Sequence, residues 1–343
     1  MLDDEAIELY ACKTGNCLAF RLSCMKEKLN TAISVLKMVL SRPTFPEKSF
    51  RRELEANLQE IEETANDPKA LAMVRITEMM YQGHPCGLTL EDKVNALNDL
   101  SVQDLKDFYF ERVLDPRNVC FAFAGDLSQQ EAADIVQDLC QAIPWSQKVF
   151  ASPAPLQFPA GDSAQVYELD KEQAVVTYAF PGIPVDSPDR HAMALIENAF
   201  GSGMSSRLFR SIREERGLAY YAGMTQSQNP GNGLIICYAG TQPETAEQVA
   251  EIFEEERLKM IKHGLTQEEF DAAKNSILFL LEDVKQDTVR SLQAAAFYEY
   301  IGVGCDEPAN KIRQIREITL DTVNQTIARI FDTKTRAIAV VSP

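Results

Sequence analysis

Histidine is scarce: there are three in 343 residues, His84, His191 and His263, and none lies within a helical turn of another. No helix therefore presents a pair of imidazoles. A catalytic zinc, which takes about three protein ligands with nitrogen or sulfur among them, finds no recognisable set. Positive charge is also short, with 34 Lys plus Arg against 51 Asp plus Glu and a net charge of −17. A surface that acidic repels phosphate backbones and anionic lipid, so neither nucleic acid nor a membrane surface is an expected partner. No apolar run approaches the ~18 residues needed to cross a bilayer. The opening Met-Leu-Asp-Asp-Glu has neither the basic nor the apolar region of a secretion signal. Eight cysteines include no C-x-x-C, which reads as reduced, mostly buried thiols in a cytoplasmic protein. G-x-S-x-G, Walker A and dinucleotide-binding glycine patterns are all absent.

What the chain does have is a repeat. Hydrophobic residues make up 45% and charged residues 25%, enough for a true core and, at this length, for two domains. The segment LSVQDLKDFYFERVLDPRNVCFAFAG (100–125) aligns without a gap on ITLDTVNQTIARIFDTKTRAIAVVSP (318–343), at an offset of 218. TFPEKSFRRELEANLQEIEE (44–63) matches LTQEEFDAAKNSILFLLED (265–283), and GNCLAFRL (15–22) matches GNGLIICY (231–238), at nearly the same offset. Three segments at one offset indicate a duplication. If the second copy begins near Ser163, its counterpart in the first would start about 54 residues before Met1, so the first copy is expected to be N-terminally incomplete.

Copy one reads as a strand near 17–24, helices near 28–40, 46–64, 67–82 and 101–113, a strand at 118–124 and a helix at 128–141. Copy two reads as strands near 165–169 and 174–180, helices 188–200 and 204–215, then strands 218–227 and 233–240. Helices near 243–263, 266–284, 287–301 and 319–330 follow, and a strand at 336–341 closes the copy. Strands gathered ahead of helices predict an α+β fold of two duplicated α/β-sandwich domains, each an antiparallel-rich sheet with helices packed on it. The expected division is 1–145 for the incomplete first domain, 146–164 for a proline-bearing linker and 165–343 for the second domain.

Few residues stand out for chemistry. His84 lies in a Gly-His-Pro turn, and His191 and His263 read as solvated positions on helix surfaces or ends. Gly201-Ser202-Gly203 before a helix could cradle an anion, but reads more simply as a tight helix–helix turn. In SSRLFRSIREERGLAYY (205–221) a helix ends at a glycine cap, Gly217, and a strand begins. Arg213 and Tyr220 could be a surface arginine and a packed tyrosine. They could instead share one cavity wall, where a guanidinium and a phenol donate to a carbonyl oxygen as it gains charge. Glu53 and Glu60, seven apart, fall about 20° apart on one helical face; solvated carboxylates are the plain reading of both.

At these residues the chain resembles the pitrilysin/insulinase family of zinc metallopeptidases, which includes the mitochondrial processing peptidases. SRPTFPEKSFRRELEANLQEIEETANDPKALA is similar to the family's helix bearing the third zinc ligand, and FGSGMSSRLFRSIREERGLAYY to its second-domain signature. The resemblance implies that Glu60 matches the zinc-ligand glutamate and Glu53 the supporting glutamate. It implies that Arg213 and Tyr220 match the pair that contacts substrate at the cleavage site. A stretch near Ile7–Cys12 loosely matches the edge strand on which the family lays its peptide. The family's H-x-x-E-H motif, which supplies two zinc ligands and the water-activating base, has no counterpart in this sequence.

The function implied is peptide hydrolysis by a zinc metalloendopeptidase-like enzyme, in which Arg213 and Tyr220 stabilise the tetrahedral oxyanion. This chain is expected to be a truncated or non-zinc part, inactive alone, with zinc in the complete enzyme and none bound by this chain by itself. The implied partners are a peptide substrate and either a second copy, as a homodimer, or a zinc-motif chain, as a heterodimer. The alternative is a non-catalytic assembly or peptide-binding protein like the family's core subunits.

Overall fold

The computed structural model describes residues 3–14, 17–150 and 156–343. By packing, the chain divides into two compact units. One holds Met1–Glu55, Asp99–Pro153 and Asp287–Cys305; the other holds Ala56–Asn98, Ala154–Gln286 and Asp306–Pro343. These units group residues by contact, whereas the division at 146–164 concerns repeats, so that boundary stands as a proposal about origin.

In the first unit, β1 (Glu8–Thr14) and β2 (Cys17–Ser23) pair antiparallel from Glu8↔Ser23 to Thr14↔Cys17. Helices Leu29–Ser41, Val102–Phe108, Gln129–Ala142 and Thr288–Tyr300 accompany them. Its core gathers Ile33, Leu40, Tyr109, Leu114, Leu139 and Ile143, with Phe20, Phe45, Phe121 and Trp145 packed around it. The buried Tyr109 hydroxyl donates to the Leu40 carbonyl at 2.9 Å. Both Ser101 and Ser128 close capping boxes, with Asp104 and Glu131 returning the bond.

The strand expected at 118–124 does not form: these residues have no ladder partner among the described residues. Apolar alternation reports burial, and Phe121 is indeed packed on the unit's core. A strand also needs neighbours, and the matching segment of the second copy has one on each side.

That second sheet carries β3 (Asp162–Glu168), β4 (Ala174–Pro181), β5 (Ala219–Asn229), β6 (Asn232–Thr241) and β7 (Arg336–Ser342) in the order β3-β7-β4-β6-β5. Only β3 and β7 run parallel. The central β4, Ala-Val-Val-Thr-Tyr-Ala-Phe-Pro, is buried almost throughout because helices cover both of its faces. Ala174, Val176, Tyr178 and Phe180 join the large core with residues of helices Arg190–Gly201, Ala246–His263 and Leu320–Phe331. Val175 and Ala179 instead meet residues of helix Pro68–Met80. The one polar residue on that face, Thr177, donates to the Ala339 carbonyl at 3.0 Å, so its hydroxyl is satisfied.

Two helices, Leu90–Asp99 and Glu307–Glu317, are additions to the expected pattern. The second is mostly polar and carries Pro308 in its first turn, where a missing N–H costs nothing. Among the described residues no helix is long and apolar enough to cross a membrane. The eight cysteines are free, but only Cys237 is buried, while Cys86 and Cys305 are exposed; the expectation of mostly buried thiols is corrected.

Candidate functional site

The connection from helix Arg190–Gly201 into β5 is irregular at two places, and each holds one of the singled-out residues. The helical turn Arg207–Phe209 widens at Arg210–Glu214, where the Glu215 N–H reaches back five residues to the Arg210 carbonyl at 2.9 Å. Such widened turns are rare, mostly single insertions, and frequent at functional positions; a second one spans Tyr109–Val113 in the other unit. Arg213 lies within it, exposed, with its guanidinium 5.0 Å over the Phe209 ring. Gly217 then takes φ +65°, a conformation costly for any side chain, and the Gly217 and Leu218 N–H groups bond the Arg213 and Ile212 carbonyls.

The second irregularity is a β-bulge. Ala219 pairs with Thr241 and Tyr221 with Gly240, which leaves Tyr220 as the extra residue between them. A bulge re-aims a side chain, and Tyr220 is 54% exposed. It lines a shallow cleft of about 480 Å³ together with Glu172, Gln173, Tyr221 and Gln242. Arg213 is not among the lining residues. The Gln242 side-chain amide donates to the Tyr220 phenol oxygen. Tyr221 is held from both sides: Gly240 admits its ring, and the Lys69 ammonium lies 5.0 Å over it and 4.5 Å over Tyr238. Burial first, then the negative charge of Asp67, pushes the Tyr221 phenol up to about 12, so it stays protonated at neutral pH. Phenols, carboxamides and the Glu172 carboxylate are what the cleft offers, and they suit the carbonyl and amide groups of a peptide backbone.

Glu53 and Glu60 both lie on helix Glu47–Asn66 and both are exposed. Glu53 accepts from the neighbouring Arg52 at 2.7 Å. Among the described residues no three His, Cys, Asp or Glu side chains come together as metal ligands. A single solvated carboxylate does not fit a zinc centre, which needs three or four ligands, and no step through zinc is assigned to this chain.

His84 accepts the Cys86 N–H on Nδ1 at 3.1 Å, as a turn residue does, and His263 is exposed. His191 is a correction. It is buried, with Nε2 3.4 Å from Glu307 and Nδ1 without a partner, because helix Glu307–Glu317 packs over it. Gly201 is pressed against Met224, where a Cβ would come within 2.2 Å, in keeping with a tight turn.

Gln173, Tyr221 and Gln242 were not evident from the sequence. The one signal was Thr241-Gln242-Pro243, a polar residue held between a strand end and a proline. A second, smaller hollow of about 360 Å³ near Arg207, Arg210 and Lys259 is lined by charges that pair with one another, chiefly Arg207 with Glu269 and Lys259 with Glu256.

The profile of the family described as "Peptidase M16 inactive domain" matches residues 99–277. An uncharacterized zinc protease of Rickettsia felis is 26% identical over 326 residues, covering 93% of this chain and 76% of that protein. The non-peptidase homolog YmxG of Helicobacter pylori is 24% identical over 350 residues, covering 100% of this chain and 79% of its own length. The crystal structure of a peptidase M16 inactive domain from Pseudomonas fluorescens superposes with a TM-score of 0.87 at 21% identity, over 100% of this chain and 82% of that one. At that identity the likeness is one of fold.

Proposed function

Because the chain belongs to the family of peptidase M16 inactive domains, we propose that it is the peptide-holding, zinc-free part of a zinc metalloendopeptidase and is inactive alone. In this reading Tyr220 donates to a carbonyl oxygen of an extended peptide, and Arg213, outside the cleft, supplies positive charge to the same peptide. The metal and the general base belong to a zinc-motif chain with which it pairs as a heterodimer, a homodimer being the other arrangement, in the cytoplasm. The observation that supports it most is the setting of Tyr220: a bulge, an exposed phenol and a cleft of hydrogen-bonding side chains.

The test is incubation of the purified chain with fluorogenic peptides and zinc, with and without chelator, alongside binding of fluorescein-labelled β-casein by anisotropy. No turnover is expected, and binding should weaken in Arg213→Ala and Tyr220→Phe. Chelator-sensitive turnover would refute the inactivity. A second reading, a non-catalytic assembly or peptide-binding protein, is favoured by the name of the Helicobacter relative, a non-peptidase homolog. It expects partner binding unchanged by substitution of Arg213 or Tyr220.

A further inference from the structure

Gln242 stands where β6 ends, and its backbone is fixed from both directions. Thr241 before it is fully buried, and its hydroxyl donates to the Leu218 carbonyl, fastening this strand end to the segment that leads into Tyr220. Pro243 after it holds Gln242 in an extended conformation, φ −77° and ψ 148°, the region a following proline enforces. The Gln242 carbonyl accepts the Thr245 N–H at 3.1 Å, and the Thr241 and Thr245 hydroxyl oxygens lie 2.6 Å apart, which leaves the main chain little freedom. From this base the side-chain amide nitrogen reaches the Tyr220 phenol oxygen.

A carboxamide nitrogen only donates, so in this pair the phenol oxygen is the acceptor and its own hydrogen is not spent on Gln242. Tyr220 has a single hydrogen to give, and its half-exposed hydroxyl rotor would otherwise be shared among solvent directions. We propose that Gln242 is the positioning residue of Tyr220: by donating to the phenol oxygen it turns the phenol O–H outward, as a donor to the carbonyl oxygen of a bound peptide. The inference rests on the peptide-contact reading of Tyr220.

Three variants of the full chain separate this role from packing. Gln242→Met keeps the length and removes the donor. Gln242→Glu reverses the polarity, since a carboxylate only accepts and draws the phenol hydrogen to itself. Tyr220→Phe removes the phenol. Ultraviolet resonance Raman of the ligand-free chain, taken as the difference from Tyr220→Phe, reads whether this phenol donates or accepts through the intensity ratio of its tyrosine doublet. The ratio should shift towards the donor type on going from the native chain, whose phenol accepts from Gln242 and donates to water, to Gln242→Glu.

Binding of fluorescein-labelled β-casein should weaken about three- to tenfold in Gln242→Glu, as much as in Tyr220→Phe. Gln242→Met should weaken it less, and Gln242→Glu combined with Tyr220→Phe should lose nothing further. An unchanged doublet in Gln242→Glu would overturn the positioning role. So would native β-casein affinity in Gln242→Glu when Tyr220→Phe has weakened it. Absence of β-casein binding by the native chain would overturn the peptide reading and the role built on it, a failure distinguishable because the doublet reports on the pairing without any peptide.

Discussion

Tyr221 and Gly240 face each other across β5 and β6 so closely that a Cβ on Gly240 would lie 2.4 Å from the Tyr221 ring and 2.8 Å from the Gln173 amide nitrogen. The floor of the cleft is therefore shaped by the absence of a side chain. Gly240→Ala is expected to push the ring off its seat against Lys69 and destabilise the fold by about 1–3 kcal/mol, the cost of overpacking. In a Tyr221→Ala background the same change should cost much less. Urea unfolding of the four chains closes this double-mutant cycle, and equal costs in both backgrounds would show that the ring is not what Gly240 accommodates.

Thr241 makes the other seam between these strands. Replacing it by Val keeps the shape but strands the Leu218 carbonyl beside a residue with no solvent exposure. The expected loss is about 1–3 kcal/mol of stability, the cost of a buried unpaired acceptor. Since Leu218 leads into the bulge, β-casein binding should fall as well. Native affinity in Thr241→Val would mean that the Tyr220 segment holds its course without this bond.

How much was legible beforehand depends on how local each feature is. The second copy's strands and most helices follow from apolar periodicity. Residues 118–124 have a strand's composition but no neighbouring strand among the described residues, a fact about other parts of the chain. Helix Glu307–Glu317 was hard to see because it buries one apolar residue, Ile315, and otherwise a charge, with Glu307 bonded to Arg190, 117 residues away. Tyr220 could be named from its signature, but its bulge is set by its register with Thr241 and Gly240, and its partner Gln242 lies 22 residues on. His191 was misjudged for the same reason: the helix that covers it lies over a hundred residues downstream.

Glu60 tests the metal assignment. It is exposed on helix Glu47–Asn66 with no set of metal-ligating side chains about it among the described residues. Titration calorimetry of the chain with zinc is expected to give no stoichiometric site that Glu60→Gln removes. A tight one-to-one site lost in that variant would show that this carboxylate holds metal within this chain.

Glu307 is only 3% exposed in its side chain and receives two bonds from the Arg190 guanidinium, each 2.8 Å. Breaking a buried pair by removing one partner costs about 3–5 kcal/mol, more than the pair itself is worth, because the other charge stays behind. Glu307→Ala should fall at the lower end, since Arg190 keeps a 3.0 Å bond to the Ser187 carbonyl and is itself partly solvated. A shift in the urea midpoint with an unchanged slope would measure it. A cost under about 1 kcal/mol would place the pair with ordinary surface bridges.

The imidazole beside that pair gives stability a pH dependence whose sign can be worked out. Burial lowers the His191 pKa below its ordinary 6.5; Arg190 and Lys311 push in the same direction, and Glu307 opposes them. In the window between the folded value and 6.5 the unfolded chain binds a proton that the folded chain refuses. Stability therefore rises with pH there, and this part is lost as pH falls from about 6.5 towards the folded value. Glu197, raised above 4.5 by burial, acts oppositely, its contribution fading as pH climbs past 4.5 to its own folded value. His191→Gln removes the first effect and leaves the second. Urea unfolding at about pH 7.5 and 5.5 should show the native chain losing more stability over that interval than His191→Gln. Equal losses in the two chains would exclude the imidazole as the source, since the carboxylates titrate alike in both.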